Sequence, residues 1–294
     1  MLDVKKAIIP IAGLGTRFLP LSKVISKDLL PLADKPALHY LLQEALLSGI
    51  QEIIFIVRAG QKQEILEYIK KSPKLEKFLQ ERKKDDLLEE LKKVDELVKN
   101  FTFSFVVQKE QLGDGHAILQ AGKFAAGEPC AIFFTDDIID APTPCLAQIL
   151  KVFKTGERPI ISLKKLPREK LHHYGIVAVE KIASRLYKIK KIIEKPSPDS
   201  APSDLAVVGR YIITPEVFTY LKKLTPNKRG EIILADAFEQ MVQDGKIIYG
   251  YEIEGEWLEC GDKLRWLQSN FYFSLKHPKL GPELKIFLKE KNIC

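Results

Sequence analysis

Short runs of apolar, often β-branched residues alternate with amphipathic stretches through the first half of the chain. The continuous apolar runs predict strands at residues 6–10, 53–57, 101–107 and 131–134. Apolar positions at helical spacing between these runs predict helices at residues 37–48, 61–70 and 117–124. Because strands in a parallel sheet are apolar on both sides, the alternation indicates a parallel sheet that is covered by helices on both faces.

The pattern changes after Thr155, where strand-like runs follow one another with fewer helices between them. We expect strands at residues 160–166, 176–179, 186–193, 206–213 and 247–253. Helices are expected at residues 217–221, 232–242 and 263–275, and a link rich in turn residues at 196–202. We expect the two parts of the chain to share one hydrophobic core, so we predict a single domain over residues 1–294. Its halves are about 1–155 and 156–294.

Residues 74–99 form a highly charged stretch in which apolar residues recur at helical spacing. A coiled coil or a nucleic-acid-binding segment would also fit such a composition. We favour a helical insertion that lies across the domain.

The chain has 46 Lys and Arg against 39 Asp and Glu, a net charge of +7, but the two signs are interleaved almost everywhere. A nucleic-acid-binding arm would show a basic block, so we expect small anionic ligands and no nucleic acid. Apolar runs stay shorter than a membrane span requires, and the run near the start is too short for a signal peptide, so we expect no membrane partner. The four cysteines, Cys130, Cys145, Cys260 and Cys294, lack CxxC spacing. They predict free thiols in a reducing cytoplasm.

The first strand runs into a glycine-containing loop, Ala12-Gly13-Leu14-Gly15-Thr16, followed by Arg17. Glycines allow a tight turn that presents backbone N–H groups to an anion, and arginine adds a bidentate donor. A dinucleotide-binding fingerprint would need a third glycine where Phe18 stands, and no Gly-Lys-Ser/Thr follows as in a Walker A loop. The loop therefore predicts phosphate binding of another kind, although a plain turn would look similar.

The run from Gly13 to Pro20, followed by Lys23, Lys27 and the Leu30-Pro31-Leu32-Ala33-Asp34-Lys35-Pro36 segment, resembles the signature of sugar-1-phosphate nucleotidyltransferases. The rest of the chain, from residue 5 to about residue 288, is similar to one branch, the bacterial UTP–glucose-1-phosphate uridylyltransferases. The resemblance implies an α/β fold, a Rossmann-like three-layer sandwich with a mixed, mainly parallel central sheet. It also implies that the first half binds the nucleotide and the second half the sugar.

By this resemblance, the nucleotide-binding residues lie in the glycine loop and in the segments that would contact the base. They are Ala12, Gly13, Leu14, Gly15, Thr16, Asp28, Gln108 and Gly113. A glutamine amide can both donate to and accept from a pyrimidine edge, as uracil selection requires. Asp28 stands where this branch usually has Glu, and a shorter acid is expected to reach the base through water. His116, in the same segment, is expected to pack or cap.

The resemblance also assigns a sugar site, catalytic residues and a metal site. The sugar-binding residues are Tyr174, Gly175, Glu194, Lys195, Val208 and Gly209, and the catalytic residues are Arg17, Lys27, Asp136 and Lys195. Mg²⁺ would lie on Asp136 and on Glu259, which stands where the family has Asp. Asp262 is a less favoured substitute ligand. Asp137 is expected to be exposed, and Glu231 and Asp236 to orient loops and cap the nearby helix.

The implied reaction joins UTP and glucose 1-phosphate into UDP-glucose and pyrophosphate, by in-line attack without a covalent intermediate. The departure at Asp28 leaves a thymidylyltransferase as the nearest alternative. The departures at Asp28 and Glu259 together leave open a non-catalytic paralogue that binds sugar nucleotides. The resemblance further implies a homodimer or homotetramer, assembled through residues 74–99 or the C-terminal helix.

Overall fold

A computed structural model describes residues 2–293, so the prediction for Cys294 lies outside the described residues. A nine-stranded sheet runs through the molecule in the order β5-β4-β1-β6-β11-β8-β12-β10-β9. The strands are β1 (Lys6–Pro10), β2 (Pro31–Leu32), β3 (Lys35–Pro36), β4 (Glu52–Val57), β5 (Thr102–Val107), β6 (Cys130–Phe133), β7 (Asp137–Asp140), β8 (Ile160–Lys165), β9 (Gly175–Ala183), β10 (Leu186–Glu194), β11 (Leu205–Ile213), β12 (Tyr249–Glu252) and β13 (Glu256–Glu259). The helices are α1 (Ala37–Leu47), α2 (Gln61–Ile69), α3 (Pro73–Glu81), α4 (Asp85–Val98), α5 (Asp114–Gln120), α6 (Gly122–Ala125), α7 (Cys145–Gly156), α8 (Pro215–Lys223), α9 (Leu234–Gln243), α10 (Lys263–Lys276) and α11 (Leu280–Glu290).

The sheet is mixed but mainly parallel, because β10 and β11 run antiparallel to the other seven strands. Successive residues of the central strands enter two different cores. In β1, Ile8 packs in one core and Ile9 in the other, and both are fully buried. Helices α1, α2, α4 and α7 cover one face, and α5, α8 and α9 cover the other. The predicted three-layer α/β fold is confirmed, and burial on both faces explains the continuous apolar runs.

Most predicted elements begin and end within a few residues of the observed ones, but some differ or were not expected. The helix predicted over 117–124 starts earlier, at Asp114, and is divided at Ala121 into α5 and α6. Helix α7 was missed. The antiparallel pair of β7 and β13 was also missed, because each strand is only four residues long and pairs across more than 100 residues of chain.

Residues 74–99 are helical, as predicted, and they form most of the two helices α3 and α4. The chain turns between α3 and α4 at Lys83, whose φ is 52°. Helix α4 packs against α1 and α2 and buries Leu88, Leu97 and Val98. The segment therefore packs on the domain, and its origin as an insertion stays a prediction.

Cys130, Cys145 and Cys260 are buried free thiols, as the spacing predicted. Burial raises the pKa of Cys130 and of Cys260 to about 12, so both thiols stay protonated at neutral pH. Within residues 2–293, no helix is long and apolar enough to cross a membrane.

Candidate active site

A cleft with a volume of about 280 Å³ opens where the glycine loop, the end of β6 and the end of β13 meet. Arg17 and Asp136 line one side of the cleft, and Tyr174, Glu194 and Lys195 line another. Residues from both halves of the chain therefore contribute to one site. The sequence-predicted residues Gly175, Gly209 and Glu259 also line it.

The glycine loop places Arg17 beside the acidic turn that follows β6. Gly15 adopts a left-handed conformation, with φ 62°, and precedes a 3₁₀ turn over Thr16–Phe18. Phe18 is buried and anchors this turn, whereas the Arg17 side chain is 63% exposed. The guanidinium Nη2 lies 3.7 Å from Asp136 Oδ2. A guanidinium at the mouth of the cleft is free to take a second, anionic partner.

Lys27 lies deeper than Arg17 and is held by the same carboxylate. Its ammonium donates to Asp136 Oδ1, and only 18% of its side chain is exposed. Burial by itself lowers the pKa of Lys27, but the carboxylates of Asp136 and Asp28 outweigh it, and the pKa is raised. Lys27 therefore carries a positive charge beneath the loop.

Asp28 is buried beneath the acidic turn that follows β6. Its side chain is 1% exposed, and Oδ2 accepts a hydrogen bond from Ser26 Oγ at 2.8 Å. The other oxygen accepts from the hydroxyl of Thr135. Burial raises the pKa of this carboxyl. Asp28 thus connects Ser26 to Thr135, and its contact with the base stays a prediction.

Gln108 and Gly113 are hydrogen-bonded to each other in the nucleotide half, and Gly113 lies against Ile232 of the second half. Gln108 is 3% exposed, and its Nε2 donates to Gly113 O at 3.1 Å and lies 3.1 Å from His116 Nδ1. Gly113 has φ 98°, and a Cβ there would lie 2.5 Å from Ile232 O. His116 packs as expected. Both predicted base-binding residues thus have a clear packing role, and base contact remains a prediction.

The side chain that caps α9 is Asp114, not Glu231 or Asp236 as expected. Asp114 Oδ1 accepts a hydrogen bond from Leu234 N at 2.8 Å, at the first residue of α9. Burial raises the pKa of Asp114 to about 6, although the amides of Leu234 and Gly115 oppose the rise. No local sequence pattern predicts this cap, because Asp114 and Leu234 are 120 residues apart.

We expect Asp114→Asn to change how stability depends on pH. Between about pH 4 and pH 6 the unfolded chain loses this proton while the folded chain keeps it. The contribution of the protonated Asp114 carboxyl to the free energy of unfolding is therefore present at low pH and lost as pH rises through about 6. Asn cannot titrate but still accepts the amide hydrogen bond. Urea unfolding should show the variant gaining up to about 3 kcal/mol relative to wild type between pH 4 and pH 7. The exposed Asp199→Asn is the control, and parallel pH profiles for Asp114→Asn and wild type would contradict the assignment.

Asp137 was expected to be exposed, and the structure shows that it is not. Its Oδ1 accepts from Trp257 Nε1 at 2.6 Å, and its Oδ2 accepts from Gly209 N at 3.0 Å. Burial, reinforced by the charge of Asp136, raises its pKa to about 7. A Cβ on Gly209 would lie 2.2 Å from Asp137 Oδ2 and 2.7 Å from the Cβ of Phe134, so the contact needs glycine.

Val208 was predicted to bind sugar, but its side chain is completely buried in the core. Its carbonyl accepts a hydrogen bond from Ser162 Oγ at 3.0 Å. Side chains of successive strand residues point to opposite faces, so Val208 supports β11 from behind the cleft. Sugar binding at Val208 stays a prediction.

Tyr174, Gly175, Glu194 and Lys195 form one wall of the cleft, as the sequence predicted. Lys195 Nζ lies 3.3 Å from Glu194 Oε1, and both side chains are about half exposed. Lys195 has φ 46°, and its amide donates to Tyr174 O at 3.0 Å. The Tyr174 ring lies 4.9 Å from that of Trp257, measured between centroids. A polar wall beside two aromatic rings suits a ring with many hydroxyls.

Glu259 is fixed by two side chains, one of which the sequence did not predict. Its Oε1 accepts from Arg265 Nη1 at 2.7 Å, and its Oε2 accepts from the hydroxyl of Tyr174. Asp262, the less favoured alternative ligand, caps α10 by accepting from Arg265 N at 3.0 Å. No spacing pattern in the sequence identified Arg265. Its contact with Glu259 depends on the path of the chain from β13 to α10.

Asp136 and Glu259 approach each other around Gly261. The position of a Cβ on Gly261 would lie 3.0 Å from Glu259 Oε1, 3.4 Å from Arg17 Nη1 and 3.6 Å from Asp136 Oδ2. The absence of a side chain thus leaves a small space between two carboxylates. Oxygen ligands of this kind suit Mg²⁺, which uses one or two carboxylates together with substrate phosphates and water. Over residues 2–293, no group of three or more side chains could hold a metal without the substrate.

A buried ion pair supports the acidic turn from below, and sequence analysis missed it. Arg210 is fully buried and donates from Nε and Nη2 to the carboxylate of Glu44 at 3.0–3.2 Å. Its Nη1 donates to Phe134 O at 3.0 Å and to Gly209 O at 3.1 Å. Arg210 thus ties helix α1 to the turn that carries Asp136.

Comparison with known proteins agrees with this geometry. Residues 6–270 match the family described as nucleotidyl transferase. The chain is 41% identical over 290 residues to the UTP–glucose-1-phosphate uridylyltransferase of Staphylococcus haemolyticus, covering 99% of each chain. Its fold is similar to that of a UTP-bound UGPase from Acinetobacter baumannii, with a TM-score of 0.89, 33% identity, and 98% and 99% of the two chains covered. It is also similar to a UDP-glucose pyrophosphorylase complexed with UDP-glucose, with a TM-score of 0.84, 30% identity, and 94% and 100% covered.

A family match over most of the chain and a full-length relative above 40% identity point to the same group. The chain therefore belongs to the nucleotidyl transferase family, and within it to the UTP–glucose-1-phosphate uridylyltransferases.

Proposed function

We propose that the protein transfers a uridylyl group from UTP to α-D-glucose 1-phosphate, giving UDP-glucose and pyrophosphate. The observation that carries this proposal is the cleft in which Arg17, Asp136 and Lys195 meet, in a chain closely related to uridylyltransferases. Arg17 and Lys27 come from the nucleotide half, and Lys195 comes from the sugar half. The cleft thus offers cations to two separate phosphate groups.

The nucleophile is a phosphate oxygen of glucose 1-phosphate, which is already an anion at neutral pH. It attacks the α-phosphorus of UTP, and the bond to the pyrophosphate oxygen breaks. Because no proton has to be removed, the protein needs no general base, and its task is to position two anions and reduce their repulsion. Arg17 and Lys27 hold the triphosphate and stabilise the departing pyrophosphate. Backbone N–H groups of the Gly13–Gly15 loop assist them.

On the sugar side, Lys195 places a charge beside the incoming phosphate, and Glu194 accepts hydrogen bonds from sugar hydroxyls. Gly175 and Gly209 let the neighbouring carboxylates approach the backbone at the cleft wall, because a Cβ on either would lie against Glu194 or Asp137. Tyr174 and Trp257 supply an apolar surface for the sugar ring. These roles remain predictions for each residue.

Asp136 and Glu259 would hold Mg²⁺, with the space at Gly261 between them. When bound, the ion would neutralise phosphate charge and so reduce the repulsion between the two substrates. The carboxylates by themselves bind and orient Arg17, Lys27 and Arg265. A chelator is expected to stop turnover without unfolding the protein, since these ion pairs remain.

A glucose-1-phosphate thymidylyltransferase is the nearest alternative, and it depended on Asp28. The burial of that side chain supports the choice of UTP, because a buried carboxyl is not displayed to a base. A non-catalytic paralogue should have lost charged phosphate ligands, yet Arg17, Asp136 and Lys195 all line the cleft. We also propose, from the resemblance alone, a homodimer or homotetramer.

We expect purified protein with glucose 1-phosphate and Mg²⁺ to release pyrophosphate with UTP at least about tenfold faster than with dTTP, CTP, ATP or GTP. Pyrophosphate release for each nucleotide is the measurement. A preference for dTTP would replace the proposed specificity by that of a thymidylyltransferase. Binding of UDP-glucose without release from any nucleotide would instead support the non-catalytic alternative.

A further inference from the structure

Each Lys or Arg that lines the cleft is already paired with an acid. Arg17 lies 3.7 Å from Asp136, Lys195 lies 3.3 Å from Glu194, and Arg265 lies 2.7 Å from Glu259. The acids on the described walls are more numerous than these cations: Asp114, Asp136, Asp137, Glu194 and Glu259. A site for two phosphate compounds therefore has more carboxyl groups than cations on its walls. Its cations become available to phosphate when they leave their carboxylate partners.

The Arg265–Glu259 pair is the most enclosed of the three. Its side chains are 23% and 15% exposed, against 63% and 26% for Arg17 and Asp136. Enclosed charges are screened less by water and salt, so their pairing has more effect. The guanidinium of Arg265 also lies 5.6 Å from the centroid of the Tyr174 ring, on the sugar wall.

We propose that Arg265 binds the phosphate of the sugar phosphate. When no ligand is bound, the Arg265 guanidinium is paired with Glu259 instead. This inference rests on the proposed function. A guanidinium presents a planar fork of donors that fits a phosphate as well as it fits a carboxylate. When Glu259 exchanges the guanidinium for a divalent cation, Arg265 becomes available to a phosphate in the same cleft.

The shared pair couples the two binding events. Glu259 cannot bind Arg265 and a cation equally well at once, so cation binding should tighten phosphate binding, and phosphate binding should tighten cation binding by the same factor. Removing either member of the pair should abolish this coupling. A purely structural salt bridge would not produce it.

The first test is the binding of glucose 1-phosphate to substrate-free protein without metal, measured by titration calorimetry. We expect Glu259→Gln to tighten binding about fivefold to tenfold, because Arg265 is then released. Arg265→Gln should weaken binding, and the double variant Glu259→Gln/Arg265→Gln should resemble Arg265→Gln. Lys263→Gln is the matched control, because it removes one charge from an exposed position on the same helix.

The second test is the binding of Mn²⁺ to substrate-free protein, followed by electron paramagnetic resonance. Arg265→Gln should bind Mn²⁺ several-fold more tightly than Lys263→Gln, because the competing guanidinium is absent. Arg265→Lys should fall between wild type and Arg265→Gln. Thermal unfolding of every variant separates these effects from loss of the fold.

The inference is overturned if Glu259→Gln fails to tighten sugar-phosphate binding, or if Arg265→Gln matches Lys263→Gln in both titrations. Failure of the proposed function looks different. In that case wild type forms no UDP-glucose from UTP and glucose 1-phosphate, while the two binding titrations still show whether Arg265 and Glu259 compete.

Discussion

The Asp136→Asn variant is expected to form UDP-glucose about 10²–10³-fold more slowly than wild type, the size of effect seen when one preorganised charged contact is removed from an active site. Asp136 lies among the charged groups of the site and contacts several of them. It accepts from Lys27, lies 3.7 Å from Arg17 and borders the space at Gly261. Asparagine keeps the shape of the side chain but not its charge, so both cations and the proposed Mg²⁺ lose their partner.

The matched control for this experiment is Asp140→Asn. Asp140 lies on β7, four residues further along the chain, and accepts hydrogen bonds from Tyr272 and Lys276 outside the cleft. It should keep wild-type turnover within about a factor of two, because exposed ion pairs contribute little. Steady-state rates and thermal unfolding of both variants are the measurements. Wild-type turnover in a folded Asp136→Asn variant would show that Asp136 is not part of the catalytic machinery.

The Glu44→Ala variant is expected to lose about 3–5 kcal/mol of unfolding free energy, as when one partner of a buried ion pair is removed. Arg210 would stay fully buried with no carboxylate beside it. The amide of Leu146 would also lose its acceptor, because Glu44 Oε1 accepts from it at 3.0 Å. Urea unfolding at neutral pH measures the loss. The surface pair Glu216–Lys246 offers a comparison, and Glu216→Ala should cost under about 1 kcal/mol.

A double variant separates the stability of this pair from its positioning role. Glu44→Leu/Arg210→Met replaces the pair by apolar side chains and should recover most of the stability. It cannot restore the hydrogen bonds of Arg210 to Phe134 O and Gly209 O. Turnover should therefore stay low in the stable double variant. Full turnover would show that the acidic turn holds its shape without Arg210.

The layout of secondary structure could be predicted well from local pattern. Strand β1 was expected over residues 6–10 and is observed as Lys6–Pro10, and α1 ends one residue earlier than expected. Long apolar runs and helical spacing are local signals, so they can be recognised in the sequence without knowledge of the fold. The short strands β7 and β13 carry no such signal, because two paired four-residue strands are stabilised mainly by the sheet they make together.

The candidate site was predicted in part. The resemblance placed Arg17, Asp136, Tyr174, Glu194, Lys195 and Glu259 together, and all six line one cleft. The side chains of Asp28 and Val208 are buried, and the carboxylate of Asp137, which was expected to be exposed, is fixed by Trp257 and Gly209. In each case the residue type was suitable, but the direction of the side chain depended on how its strand or turn was packed.

The sequence by itself determined the fold class, the glycine loop, the family and most residues of the cleft, because these depend on residue types at fixed spacings. Only the tertiary structure decided which charges meet. Glu44 and Arg210 are 166 residues apart, and Asp136 pairs with a lysine 109 residues away. Partners at such separations are set by the path of the chain through the sheet. Whether an acid binds a ligand, caps a helix or holds an arginine is therefore fixed by packing and not by its neighbours in sequence.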